Sequence, residues 1–293
     1  MSLQNIFESK RVLSFELFPP KTAKGEKNLY AHVEQLMQFR PDFITCTYGA
    51  GGSTQGKTLE IIDQVKRSFN ISVASHLTLV GSTVDDLRDY LRRSLEQSVD
   101  YIVALRGDPP KGESEFVASA GGLSYANELV DLIRAEFNQF DVMVAGYPEK
   151  HQEAPNMEVD LENLKRKVDS GASAVVTQLF YDNADFYRFR ESCDRHGIDV
   201  PIVAGLLPVT NLNQIQRITS LCGARLPEAF VSELEKDESE AAQFEVGVAQ
   251  CIEQTEDLIA NGVAGIHFYV LNKSAATKRI LDAIDFSRET VNQ

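Results

Sequence analysis

The sequence lacks most of the patterns that announce a function. No stretch approaches 18 uninterrupted apolar residues, and the amino terminus MSLQNIFESK has no basic segment followed by an apolar one. Neither a transmembrane helix nor a secretory signal is therefore expected. The four cysteines, Cys46, Cys193, Cys222 and Cys251, form no CxxC, which argues against a zinc cage or a dithiol pair and for a reduced, cytoplasmic protein. The five histidines form no HExxH pair and no acidic run matches a calcium loop, so no metal site is expected. Basic residues are scarce, 29 against 43 acidic, giving a formal net charge of -14. Such a chain repels phosphate backbones and anionic lipid, which sets nucleic acid and membrane aside as partners. No internal repeat and no low-complexity segment is present.

What is present is a regular alternation. The 293 residues are 43% hydrophobic, ample for a packed core. Apolar, β-branched runs lie at about 11–18, 43–48, 72–79, 101–106, 141–147, 174–180, 200–207 and 265–271. Helical periodicity fills the gaps at about 27–39, 57–69, 83–97, 123–138, 159–170, 183–196, 211–222, 227–235, 239–261 and 274–286. Strand then helix, eight times, predicts an α/β fold, a (βα)8 TIM barrel in a single domain over 1–293. A doubly wound open sheet is the alternative. It would usually show GxGxxG after the first strand, which is missing here, and would gather its polar residues at one switch point. The acidic stretch ELEKDESEAAQFE at 233–245 reads as a solvated helix rather than a linker.

Polar residues instead cluster where apolar runs end: Glu16, Tyr48, His76, Arg106 with Asp108, Tyr147 to His151, Gln178 and Asn272. A carboxylate at the end of a buried strand costs several kcal/mol unless it is paired or used, which makes Glu16 a site candidate. Its neighbours Phe15, Leu17 and Phe18 suggest a surrounding of low polarity that would raise its pKa towards that of a general acid. Between the second strand and its helix, Gly51 to Thr58 (GGSTQGKT) satisfies the phosphate-loop pattern GxxxxGK[ST]. A nucleoside triphosphatase also needs an apolar strand closing in an aspartate, and no strand here ends that way cleanly: Arg106 interrupts YIVALRGD and Gln178 interrupts VVTQLFYD. A glycine-rich loop open to a flat or phosphorylated ligand is the other reading.

Several segments occur together and in order: SFELFPP (14–20), TYGAGGST (47–54), HLT (76–78), ALRGDPP (104–110), YPEKH (147–151), DLENLKRKVDSGA (160–172), TQLFYD (177–182), GLLPVTN (205–211) and HFYVLN (267–272). In these the chain resembles the methylenetetrahydrofolate reductases over nearly its full length. The resemblance implies a cytoplasmic barrel with FAD across the carboxyl-terminal face. NADH, or NADPH, and 5,10-methylenetetrahydrofolate would meet the flavin in turn, by ping-pong kinetics, to give 5-methyltetrahydrofolate for methionine synthesis. It also implies a homo-oligomer, and a chain ending just after the barrel would carry no regulatory domain.

By the same resemblance Glu16 is the catalytic acid, and Asp108 contacts the pterin beside the flavin. Gln178 and Gln214 are folate-side residues. Lys273 stands where the family commonly has an arginine, keeping the charge and losing the bidentate fork. Ile218, near Leu212, stands where relatives often place an aromatic against the nicotinamide. The implied cofactor positions are Thr47, Tyr48, Ala50, His76, Arg106, Gly107, Asp108, Tyr125, Ala126, Tyr147, His151, Ala154, Asp160, Asn163, Arg166 and Lys167. As a group they make chemical sense, with aromatic and small residues for flat rings and a basic pair for pyrophosphate. A barrel that binds folate or flavin without catalysis, a P-loop triphosphatase acting through Lys57, and a flavin-free barrel lyase remain the competing readings.

Overall fold

In a computed structural model, which describes residues 2–48, 55–109, 112, 115–286 and 288, the eight apolar runs are eight parallel strands. They are β1 (Val12–Leu17), β2 (Phe43–Cys46), β3 (Ser72–Thr78), β4 (Tyr101–Leu105), β5 (Asp141–Gly146), β6 (Ala174–Thr177), β7 (Ile202–Leu206) and β8 (Gly265–Tyr269). They pair in sequence order and β8 returns to β1, closing the barrel. The register at the closure sets Glu16 beside Tyr269 on one side and beside Thr45 on the other.

Strand side chains alternate between two faces, so each strand serves two environments. On β1, Leu13, Phe15 and Leu17 join the outer core with Leu29, Val33 and Leu36 of α2 (Ala23–Met37). Ser14 and Glu16 point the other way, into the barrel, where Ser14 meets His267 of β8. The outer core is continued by α3 (Gln55–Phe69), α4 (Val84–Glu96), α5 (Ala126–Glu136), α6 (Met157–Asp169) and α7 (Asn183–Arg195).

One helix is not foreshadowed by periodicity. α1 (Leu3–Ser9) has seven residues, too few for a helical repeat to stand out, and a helix that short is held by packing rather than propensity. Leu3, Ile6 and Phe7 pack on Val12, Phe43, Tyr101 and Met143 and plug the amino-terminal end of the barrel. The Leu3 amide donates to the Asp141 carboxylate at 2.7 Å, fixing the plug to β5.

The acidic stretch at 233–245 is not one solvated helix. α8 (Leu212–Cys222) is followed by α9 (Glu228–Glu235), a short break, then α10 (Glu240–Ala260). Ser239 accepts from the Ala242 amide and Glu240 lies in the first turn, so a side-chain cap and a favourable charge start a new helix there. Among the described helices none is long and apolar enough to cross a membrane. After β8 the chain turns through Leu271 and Asn272, both with positive φ, into α11 (Ala275–Ala283). The Asn272 side chain accepts from the Phe18 amide and donates to the Phe18 carbonyl, at 3.0 and 2.7 Å, clamping the loops after β8 and β1 together.

Candidate active site

Glu16 lies at the floor of a cavity of about 450 Å³ at the carboxyl ends of the strands. Its Oε2 is approached by two imidazoles, His76 Nε2 from β3 at 3.3 Å and His267 Nε2 from β8 at 3.7 Å. Burial pushes the carboxyl up, but hydrogen bonding from His267 and His76, and their charge when protonated, outweigh it and hold the group at about 2. The expectation of a raised pKa from Phe15, Leu17 and Phe18 is thus corrected. Phe15 and Leu17 face the helices, Phe18 is 40% exposed, and the carboxyl's actual neighbours come from other strands.

His267 is a residue that sequence reasoning did not single out. Only 1% exposed, it holds Ser14 Oγ through Nδ1 at 2.8 Å, and its ring meets Tyr269 edge-on at 5.2 Å. Tyr269 in turn donates to the Thr177 carbonyl at 2.7 Å. The available signal was the motif HFYVLN itself, in which alternate residues of the eighth strand are polar. Thr45 was missed as well. Its hydroxyl is buried without a hydrogen-bond partner beside Glu16, and the residue lines the same cavity.

Around this cavity stand Thr47, His76, Arg106, Gly107, Asp108, Gln178 and Ile218. Leu105, Arg106, Ala145, Tyr147 and His151 are shared with a second cavity of about 370 Å³, so the two form one elongated cleft. The second cavity is lined by Tyr125, Ala126, Ala154, Asp160, Asn163, Arg166 and Lys167. Tyr147 and His151 meet edge to face at 4.6 Å, and burial raises the tyrosine and lowers the histidine, favouring the neutral form of each. Asp160 is buried and accepts from the His151 amide at 2.9 Å, which pins the YPEKH turn to α6.

Lys167 places its amine 2.6 Å from the Ala145 carbonyl. The residue is partly exposed, yet desolvation of the amine pulls it down to about 8. Arg106 is held at the neck by Glu153 through two bonds of 2.6 Å, and its guanidinium stacks 5.1 Å from the Phe116 ring. Gly107 follows with φ +88°, where a Cβ would sit 2.7 Å from Val80 Cγ2.

Gln214 and Lys273 line a third cavity, of about 340 Å³, between β7 and β8. Leu207, Tyr269 and Leu271 border both it and the Glu16 cavity. Gln214 is in the first turn of α8, as expected, with its amide donated to the Asn211 cap.

One of the implied cofactor residues stands apart, and another is not among the described residues. Tyr48 lines none of these cavities; its ring packs edge-on against Tyr90 of α4 at 5.5 Å, in the outer core. An aromatic ring just past a strand end gains more from burial under a helix than from a rim position. Ala50 lies outside the described residues, as does the start of the phosphate-loop lookalike, 51–54. The two chemical residues of that lookalike are otherwise engaged. Lys57 pairs with Glu26 of α2 at 2.6 Å, and the buried Thr58 hydroxyl donates to the Thr47 carbonyl at 2.9 Å. Among the described residues no group of three or more metal-ligating side chains converges.

A closed parallel barrel whose carboxyl-terminal face bears an elongated cleft, with Arg106 at its neck and a buried carboxyl at its floor, defines a TIM-barrel protein with a candidate small-molecule site at the strand ends. The chain belongs to the methylenetetrahydrofolate reductase family, whose model matches residues 2–285. It is 38% identical over 264 residues to the 5,10-methylenetetrahydrofolate reductase of Escherichia coli (strain K12), covering 89% of this chain and 86% of that one. It is 37% identical over 286 residues to the probable methylenetetrahydrofolate reductase (NADH) of Oryza sativa subsp. japonica, covering 94% of this chain and 48% of that one. The chain thus spans about half the length of the plant relatives it matches. Its fold is similar to that of an uncharacterised protein from Clostridium thermocellum that binds two copies of 5-methyl-5,6,7,8-tetrahydrofolic acid. That likeness has a TM-score of 0.64 and 15% identity over 94% of this chain and 95% of that one, and it concerns the fold alone.

Proposed function

We propose that the protein reduces 5,10-methylenetetrahydrofolate to 5-methyltetrahydrofolate with NADH as donor and FAD as the bound carrier. The observation that carries this reading is the continuity of the cleft. A cavity containing Glu16, Asp108 and Gln178 opens at Arg106 into one walled by aromatic rings and cations.

The residues present fit an FAD. Arg106, Arg166 and Lys167 supply three cations to the second cavity, suited to a pyrophosphate. Tyr125, Tyr147 and Ala126 supply flat and small walls, and the unpartnered Thr45 hydroxyl awaits a polar group beside Glu16. When bound, the flavin supplies the two-electron carrier that no side chain of this protein can replace. The protein's own residues do the rest. Asp108 and Gln178 orient the pterin at the rim, and Asp108 offers negative charge to the cationic iminium formed when the folate ring opens. Glu16 holds the proton that opens that ring. Gln214 and Lys273, in the adjoining cavity, receive the folate tail. Donor and acceptor occupy the 450 Å³ cavity in turn, which makes the kinetics ping-pong.

The test is the visible spectrum of the purified protein without oxygen. Flavin bands that bleach with NADH and return with methylenetetrahydrofolate are expected. Glu16→Gln should keep the bleaching and lose the return. A protein that neither carries nor takes up FAD would overturn the reading, and equal loss of both steps in Glu16→Gln would remove the acid role of Glu16.

A further inference from the structure

Glu16 presents a problem of proton supply. Its two imidazole neighbours favour the carboxylate, whereas a group that gives a proton to the folate must first hold one. The two imidazoles are not equivalent. Both line the Glu16 cavity, but the side chain of His76 is 12% exposed, whereas that of His267 is 2% exposed and has Nδ1 engaged by Ser14. Ser14 is itself wholly buried on the inward face of β1, two residues before Glu16, so its hydroxyl is unreachable as a nucleophile and available as a support.

We propose that His267, oriented by Ser14, is the positioning and proton-holding partner of Glu16, so that the acid for the folate step is the couple of the two side chains rather than the carboxyl alone. The inference rests on the reductase reading above. With one proton in play, the couple is either imidazolium with carboxylate or imidazole with carboxylic acid, and both have the same net charge. In each, Nδ1–H donates to Ser14 Oγ while the shared proton lies on His267 Nε2 or on Glu16 Oε2. When Glu16 passes that proton to the substrate nitrogen, the couple is left as carboxylate and neutral imidazole. The imidazole keeps its Nδ1–H donated to Ser14 Oγ, and a proton taken up from solvent at Nε2 once the product has left restores the couple. A hydroxyl oxygen that accepts from Nδ1–H in both the charged and the neutral imidazole keeps Nδ1 satisfied at every stage.

The other groups facing the couple are His76 from β3, Tyr269 from β8, Arg106 and Asp108 after β4, and Tyr147 after β5. Cys46 lies on the outer face of β2 with its thiol raised by burial and by the Glu16 charge, and Lys273 lies across Tyr269 in the adjoining cavity. From β6, β7 and α8 the neighbours are Val176, Gln178, Leu207 and Ile218, all uncharged. Burial raises the hydroxyl of Tyr269 far above its ordinary range, so it stays neutral while the couple titrates.

The test separates the two half-reactions of the FAD-loaded protein by stopped flow from pH 5.5 to 9.5, in wild type, His267→Gln and Ser14→Ala. His267→Gln should slow flavin reoxidation by methylenetetrahydrofolate on the order of 10- to 100-fold, the scale of a compromised general acid. Flavin reduction by NADH should stay within about twofold of wild type, because it needs no acid. The alkaline limb of the reoxidation profile should be displaced. Ser14→Ala should slow reoxidation by about three- to tenfold and move that limb to lower pH, since a bond from a charged donor is stronger than a neutral one and its loss disfavours the protonated couple. A hydrogen-bonded imidazole N–H resonance, visible by NMR in wild type and His76→Gln, should vanish in Ser14→Ala. That readout needs no turnover, and Ser14→Ala carries the test if His267→Gln does not fold. An equal loss in both half-reactions, or a loss of the same factor at every pH, would overturn the inference and leave the reductase reading standing. A wild-type protein whose reduced flavin is never reoxidised by the folate would overturn both.

Discussion

Arg106 and Glu153 face each other at the neck of the cleft, joined by two nitrogen to oxygen bonds of 2.6 Å across 47 residues of sequence. The pair couples the end of β4 to the turn that leads into α6, and it occupies a guanidinium that the proposed function assigns to an anionic cofactor. On that proposal, binding of FAD would exchange one anionic partner of Arg106 for another.

Glu153→Gln should tighten FAD binding by about two- to fivefold, the scale of a half-exposed ion pair worth under about 1 kcal/mol. The gain should shrink as salt is added. Fluorescence quenching of added FAD at two ionic strengths measures it, and weaker binding in the variant would show that Glu153 itself holds the cofactor.

Lys167 gives the cofactor affinity a pH dependence of defined sign. Burial holds its amine at about 8, and only the protonated amine attracts a pyrophosphate. FAD affinity should be level below that value and fall as the pH rises through it. Lys167→Met should weaken binding by about 10- to 100-fold at pH 7, matching the loss of a charge-assisted hydrogen bond, and should flatten the profile. Titration of the apoprotein with FAD from pH 6.5 to 9.5 checks both statements.

Asp108 stands at the mouth of the Glu16 cavity, exposed and followed by Pro109. Negative charge there disfavours an electron-rich reduced flavin and favours a cationic folate intermediate. Asp108→Asn should raise the flavin reduction potential while slowing the folate half-reaction. Spectroelectrochemistry and stopped flow read the two effects, and an unchanged potential would rule out the electrostatic role.

Gly107 has no room for a side chain. At φ +88°, a Cβ would lie 2.7 Å from Val80 Cγ2 and 3.0 Å from Thr78 Cβ, both in buried residues. Gly107→Ala should cost about 1–3 kcal/mol of stability from backbone strain and overlap. Thermal denaturation measures this, and an accompanying fall in FAD affinity would show the strain passing to Arg106.

Much of this was legible before the structure. The eight strands stand close to where the apolar runs lie, because short β-branched segments bounded by turn residues admit few other solutions. Ten helices follow their periodicities. The seven residues of α1 were hidden because that helix depends on the barrel end it plugs. Of the residues singled out at strand ends, most line one cleft or the cavity beside it. Tyr48 does not, and Asn272 serves as a clamp between loops.

The environment of Glu16 shows where sequence adjacency fails. Phe15 and Leu17 are bonded neighbours and share no space with its carboxyl, because successive strand residues face opposite sides. His267 lies 251 residues away and approaches it to 3.7 Å, because closure of the barrel sets β8 against β1.

The sequence by itself determined the alternation of strands and helices, the family, and the carboxyl-terminal rim on which polar residues gather, since periodicity and local motifs are properties of neighbours along the chain. Tertiary structure alone decided which side chains share Glu16's oxygen, which cation occupies the neck, and that Lys57 serves an ion pair with α2. Charge, burial and hydrogen bonding act through space, and the distances that govern them exist only once the barrel has closed.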